Sequence, residues 1–256
     1  MIPIRDENPT TSTAVVTIIL IALNVAVFLT EPVFAGGRSQ EQQLVRQARF
    51  FSCHAAVPYE LTHGKTVTSA VANGVRFPEP DAAYAELERL TCPKKNIWLS
   101  ILESMFLHGS ILHIAGNMLF LWIFGNNVED RLGRAKYLAF YLLSGLAAAY
   151  TQSLVFPNSA IPLVGASGAI AGVLGAYLLL FPRARIVTVI FFFITVVPAF
   201  VMIGVWFLLQ LLSGVGSVAG DTGVAYMAHV GGFVAGMLLL LIFRPRRPRA
   251  TPALPY

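Results

Sequence analysis

Residues 165–181 read GASGAIAGVLGAYLLLF, and residues 223–243 read GVAYMAHVGGFVAGMLLLLIF. Each is an apolar run without Asp, Glu, Lys or Arg, and each holds one chemically useful polar group near its start, Ser167 and His229. A helix crosses a bilayer with roughly 20 apolar residues, so the second run is long enough and the first is short. Gly168/Gly172 and Gly232/Gly236 are small-xxx-small pairs, the spacing by which membrane helices bring their backbones together. The two runs are therefore expected to pack on each other, with the serine and the histidine near the same end.

Four further runs extend this pattern. They are residues 13–30 (TAVVTIILIALNVAVFLT), 110–125 (SILHIAGNMLFLWIFG), 135–154 (AKYLAFYLLSGLAAAYTQSL) and a long stretch from Ile186 to Ser213. That stretch exceeds one simple span. Proline suits the first turn of a helix, so the fifth span is expected over Pro198–Ser213 with Ile186–Val197 as its lead-in. The fold expected is an all-α membrane protein, a six-transmembrane-helix bundle with a long outer loop after helix 1. It is one domain over residues 1–256: an outer loop at 33–97, core helices 2–6 at 98–243 and a basic tail at 244–256. The first run is read as a span. A signal peptide cut after "VFA" is the alternative, disfavoured by Asp6 and Glu7 in the leading region, where a signal is basic.

Composition agrees. The chain is 56% hydrophobic and 12% charged, against about 25% charged in soluble domains. A soluble core cannot hide that excess. The net charge of +5 gathers at helix ends and the C-terminus rather than in a stripe with groove-reading partners, so nucleic acid is not an expected partner. Arg131, Arg134 and Lys136 follow span two, Arg183 and Arg185 follow span four, and Arg244, Arg246, Arg247 and Arg249 follow span six. The loops after spans three and five have no Lys or Arg. The positive-inside rule then puts both termini in the cytoplasm of a cell-membrane protein and residues 33–97 outside. Within that outer segment, short helices are expected at Gln40–Phe51 and Asp81–Leu90. Cys53 and Cys92 also lie there, either as a disulfide or as two thiols, depending on the compartment.

Polar groups at membrane depth are costly and point to function. His113, Asn117, Ser167 and His229 qualify. Ser167 and His229 each precede the far end of their span by 14 residues, about 21 Å of helix, and His113 lies at a similar level. His113 and Asn117, four apart, share one helix face. A serine hydroxyl becomes a useful nucleophile when a base takes its proton, and His229 is the base at hand. A helix N-terminus at Ser167 offers free N–H groups to an oxyanion, with Asn117 and His113 as side-chain donors.

The pieces "HGSILHIAGN" (His108, His113, Asn117), "VEDRLG" (Glu129, Gly133), "GASGA" (Gly165, Ser167, Gly168) and "AHVGG" (His229, Gly232) resemble the rhomboid intramembrane proteases, in the family's order. The resemblance spans nearly the whole chain outside residues 33–97. It implies a Ser167–His229 dyad without an acidic third member. It implies an oxyanion hole from the Ser167 N–H, His113 and Asn117, and cleavage of other membrane proteins in or near their transmembrane helices. The fifth helix and the loop before the sixth would gate access. No cofactor or metal is implied; the partners are transmembrane substrates and the lipid bilayer, and the oligomeric state is open. Two features depart from the family. Ala171 stands where an aromatic often packs on the histidine, and the Trp-Arg pair of the first outer loop is missing, Trp98 being followed by Leu99. Trp206 and Phe207 are weak gate residues, with lipid-facing aromatics the plainer reading.

Other chemistries lack their residues. There is no His-Glu-x-x-His for zinc proteolysis. After Asp130 the only aspartate is Asp221, too few for an aspartyl membrane protease and read here as a loop or capping residue. Glu129 and Asp130, at the opposite end from Ser167, are expected to tie down a loop. The competing function is a non-catalytic rhomboid-like protein that binds membrane clients.

Overall fold

The computed structural model describes residues 1–34, 40–77, 92, 95–217 and 224–245. Six apolar helices form the body: α1 (Val15–Phe28), α6 (Ile111–Leu132), α7 (Arg134–Val155), α8 (Ser167–Leu180), α9 (Ala199–Ser217) and α10 (Tyr226–Phe243). By length and composition α6, α7, α9 and α10 can cross a membrane, while α1 and α8 are apolar but shorter. Among the described residues, four short helices lie between α1 and α6: α2 (Gln40–His54), α3 (Pro58–His63), α4 (Val67–Ala72) and α5 (Leu99–Ser104).

The helix ends show why the elements begin and stop where they do. The Ser110 hydroxyl accepts the His113 N–H at 3.2 Å and caps α6. Gly133, at φ +80°, ends α6, and its N–H reaches the Glu129 carbonyl at 2.7 Å. The positive φ suits glycine, and α7 starts at the next residue. Glu129 accepts from the Val16 and Thr17 N–H groups at 2.9 and 2.8 Å and from the Thr17 hydroxyl at 2.8 Å, satisfying orphan donors of α1. Asp130 accepts from Thr11 and Ser12. Glu129 thus caps the start of α1, and Asp130 ties down the chain before it.

Helix α8 is the centre, buried from Gly168 to Tyr177. It crosses α10 at backbone contact. A methyl group built on Gly232 would overlap the Gly168 carbonyl, and one on Gly236 would overlap the Gly172 backbone. Ser144 and Ala148 of α7 close the third side against Gly172 and Gly168. The expected small-residue pairs thus face each other. Helix α9 is different: only 22% of its span is buried, against 44% in α6.

The lead-in to α9 is not helix. Residues Arg185–Ile190 (β2) and Phe193–Pro198 (β3) form an antiparallel hairpin, and Ile2–Asp6 (β1) adds to β2, in the order β1-β2-β3. Pro198 therefore closes an edge strand, paired with Arg185, and the helix begins one residue later. Proline has no N–H to give a ladder, and a strand end tolerates it. Asp6 anchors β1 beneath the bundle, accepting from the Tyr177 hydroxyl at 2.8 Å and the Asn127 amide at 2.6 Å. Burial pushes the Asp6 carboxyl above its ordinary range, against the pull of those two donors.

The segment between α1 and α6 folds over the end of the bundle opposite the sheet. The helix expected over Gln40–Phe51 runs on to His54; the one expected over Asp81–Leu90 lies outside the described residues. Cys53 and Cys92 are a disulfide, their Cα atoms 5.3 Å apart. Lys95 and Glu60, 1% and 2% exposed, form a buried pair at 2.5 Å. Burial draws the Lys95 amine below the usual lysine range, and the Glu60 carboxylate opposes it. Val57, Tyr59, Val67, Ala70, Phe77 and Ala160 make a small separate core here. A bridge between Ala56 and Leu163 joins this segment to the chain entering α8.

Candidate active site

The chain reaches Ser167 through a strained turn. Gly165 sits at φ +129°, where side chains are rarely tolerated, and its N–H donates to the Ser104 carbonyl at 3.0 Å. A methyl group there would lie 2.8 Å from His113 Nε2 and 3.5 Å from the Ser167 hydroxyl. The missing side chain is thus what allows the His113 ring to approach the serine. Helix α8 starts at Ser167 itself, so the serine stands where the helix N–H groups are unpaired.

The structure brings Ser167 and His229 together across 62 residues of sequence. Ser167 Oγ and His229 Nε2 are 2.7 Å apart. On the other side of the ring, His229 Nδ1 is 2.9 Å from Gln210 Oε1. A carbonyl oxygen can only accept, so Nδ1 carries the proton and donates. Nε2 is then left with its lone pair toward the serine hydroxyl, the arrangement a general base needs. Gln210 is a residue the sequence reading missed, although a polar group inside "WFLLQLLS" was itself a signal of the kind that singled out the other four.

Gln210 also answers what holds the ring in the absence of an aromatic at Ala171, a residue fully buried in the core. The support comes from α9 instead of α8. Trp206 lies beside the imidazole, with centroids 6.1 Å apart, and Tyr226 meets it edge-on at 6.4 Å. Phe207 stacks on Phe233 at 4.3 Å. Trp206 and Phe207 therefore pack toward α10, not outward into lipid as the plainer sequence reading had it. The Gln152 side chain of α7 accepts the Ala228 N–H at 3.1 Å and steadies the turn before His229.

His113 is beside Gly165 and Ser167, as its level on α6 suggested. Asn117 has a partner of its own: its amide lies 2.9 Å from His108 Nε2. His108 Nδ1 donates to the Phe106 carbonyl at 3.2 Å, so Nε2 accepts from Asn117. The buried His108 N–H in turn donates to the Glu31 carboxyl at 2.9 and 3.2 Å. The Glu31 carboxyl is pushed up to about 7 by burial. Asn117 is thereby held by a chain of bonds reaching the end of α1, with its second amide hydrogen left to offer. Asp221 lies outside the described residues.

Comparison with known proteins places this geometry. Residues 95–246 match the model of the Rhomboid domain family. The chain is similar to the mitochondrial Rhomboid protein 1 of Saccharomyces cerevisiae, 36% identical over 55% of this chain and 40% of that protein. It is similar to the mitochondrial presenilin-associated rhomboid-like protein A of Danio rerio, 32% identical over 72% of this chain and 50% of that one. It is also similar to the rhomboid protease GluP of Bacillus subtilis, 43% identical over 32% of this chain and 15% of that one. The chain spans about half, or less, of the length of these relatives.

Proposed function

The chain belongs to the rhomboid family and is a multi-pass membrane protein, and from that premise we propose that it is an intramembrane serine endopeptidase. Its substrates are other membrane proteins, cut in or near their transmembrane segments. The observation that carries the reading is the 2.7 Å contact between Ser167 Oγ and His229 Nε2.

In the proposed reaction His229 Nε2 takes the hydroxyl proton as Ser167 Oγ bonds to the scissile carbonyl carbon. Gln210 keeps the proton on Nδ1 and favours the imidazolium that forms. The Ser167 N–H, His113 and Asn117 donate to the oxyanion; such donors are typically worth about 2.7–4 kcal/mol each in the transition state. Collapse expels the amine, which receives the proton from His229. Water, activated by the same base, then releases the acyl group and restores the serine.

We place the site on the outer side of a cell membrane, with both termini in the cytoplasm. The basic residues at the Gly133 and Arg183 turns support that orientation. The Cys53–Cys92 disulfide supports an oxidising compartment for the opposite end.

The test uses purified protein in liposomes with a transmembrane peptide that has a Gly/Ala-rich outer end, and a fluorophosphonate probe. Wild type is expected to cleave and to label. Ser167→Ala and His229→Ala are expected to lose both, a drop of at least about 10⁴-fold, while keeping the wild-type melting temperature. Cleavage retained in Ser167→Ala sinks the proposal. Client binding that persists in a folded wild type without labelling favours the non-catalytic reading.

A further inference from the structure

The β2–β3 hairpin ends in the two most exposed large apolar residues among those described, Phe192 at 95% and Phe191 at 88%. Phe193 and Ile194 follow at 76% and 70%. The lipid-facing side of α9, by comparison, has Phe200 at 52% and Leu212 at 60%. Ile190 pairs with Phe193, so Phe191 and Phe192 are the two residues of the turn. Two-residue hairpin turns in water place Gly, Asn or Asp where φ is positive. Here Phe191 adopts φ +54°, a conformation disfavoured for a bulky side chain. The sequence gives up turn chemistry to place aromatic rings at the tip.

The strands behave the same way. Val196 and Ile194 of β3 are exposed on the face that carries Val187 and Val189 of β2, and Ile2 and Ile4 of the neighbouring β1 are exposed as well. A sheet with one face in water alternates apolar and polar residues, and an edge strand in water is guarded by charge. No charged residue occurs from Ile186 to Gly220. The hairpin is therefore continuous in composition with α9, which begins at Ala199, directly after Pro198 closes β3. Charge returns away from the tip, with the exposed Arg5 of β1 opposite Val187, and at the base with Arg183 and Arg185, the latter paired to Glu7 at 2.9 Å.

We infer that the hairpin is an interfacial membrane anchor: its phenylalanine tip inserts into the phospholipid leaflet at the Arg-rich end of the bundle, beside the first turn of α9. Aromatic rings favour that boundary. The depth is limited by the open edge of β3, whose unpaired backbone groups cannot enter hydrocarbon, so the rings reach the acyl chains while the strands stay among hydrated headgroups. The anchor fixes the foot of α9, and motion of that helix is confined to its other half.

The experiment exploits the disulfide, which leaves an introduced cysteine as the single thiol. Phe192→Cys is labelled with an environment-sensitive nitrobenzoxadiazole dye in phosphatidylcholine/phosphatidylglycerol liposomes. Blue-shifted emission is expected, with lipid-borne nitroxide quenching at least twofold more than aqueous iodide. Water-like emission quenched mainly by iodide overturns the inference. Lipid shielding lost on diluting the protein into more lipid also overturns it, because the tip would then be covered by a second copy of the chain. The variant's cleavage activity reports that the labelled protein is folded.

Discussion

The seam between α8 and α10 and the helix α9 lie side by side and are built oppositely. In the seam, glycines place backbone against backbone, and no side chain lies between Gly172 and Gly236 that could relax. In α9 most residues face outward; Ala199, Met202 and Ile203 enter the core at its foot, and further along the inward contacts are aromatic rings and one amide. Yet the proposed catalytic unit draws on both. Ser167 and His229 come from the seam, so the distance across which the proton moves is fixed by packing. Gln210 comes from α9, so the tautomer of the base depends on where that helix stands. In the proposed reaction a substrate segment has to reach Ser167, and α9 is the loosely packed helix on the His229 side of it. Displacing α9 withdraws the second partner of His229.

The largest effect is expected where the seam is broken. Gly236→Val puts carbon atoms inside the Gly172 backbone, where no rotamer change gives relief. Overpacking of this kind costs about 3 kcal/mol or more. The variant should fail to elute as a folded species in detergent, or melt far below wild type. A wild-type melting temperature would mean that the seam is not the rigid half of the comparison.

Next comes the α9 contribution. Gln210→Leu keeps the volume and removes the acceptor, and kcat is expected to fall about 10- to 100-fold, or about 1.4–2.7 kcal/mol, with the melting temperature unchanged. Gln210→Glu sharpens the point. A carboxylate at this position favours the charged ring. The acidic limb of the kcat/KM profile should therefore move to higher pH, an effect that lost packing does not produce. Ser167, Trp206 and His113 face the ring from the other helices and Tyr226 from its own. An unmoved limb removes Gln210 from the mechanism. By contrast, Leu208→Ala and Leu209→Ala, on the exposed side of α9, are expected to change stability by less than about 0.5 kcal/mol each.

The same contrast explains what could be read in advance. The seam was legible because glycine spacing and a polar residue in an apolar run are local signals, present in residues 165–181 and 223–243 alone. The region around α9 was not. An apolar run reads alike as buried strand or helix, so Ile186–Val197 was set apart as a lead-in at Pro198 without being recognised as a hairpin. Strand β1 is five residues including a proline, and it exists because β2 offers a ladder far along the chain. Gln210 carried a signal, but its meaning depended on which way α9 faces, which periodicity cannot tell in a helix that is apolar nearly all round. His108 was seen as part of a motif; that it occupies Asn117 is a matter of three-dimensional contact.

The smallest effect expected lies outside both halves, where the end of α1 meets the entry to α6, and depends on pH. The Glu31 carboxyl accepts the His108 backbone N–H at the entry to α6, and burial lifts it from an ordinary value of 4.5 to about 7. Below about pH 4.5 the carboxyl is protonated in both folded and unfolded chains and contributes no slope. Between that value and about 7 the unfolded chain releases its proton while the folded one retains it, so stability declines as pH rises through this window and levels off above it. The melting temperature in detergent is expected to fall by about 2–4 °C from pH 5 to pH 7.5, an order set by the entropy of unfolding. Glu31→Gln keeps an acceptor for His108 and should flatten that part of the slope. Asp6, raised by burial at the opposite end, contributes a slope of the same sign, which is why the difference between wild type and variant is the quantity to read. If the two proteins show the same dependence, Glu31 is ionised in the folded state throughout, and the chain of bonds from α1 through His108 to Asn117 is insensitive to pH. If the difference appears and cleavage follows it over the same window, the acid at the end of α1 governs how firmly Asn117 is held, on the side of the site that α9 does not touch.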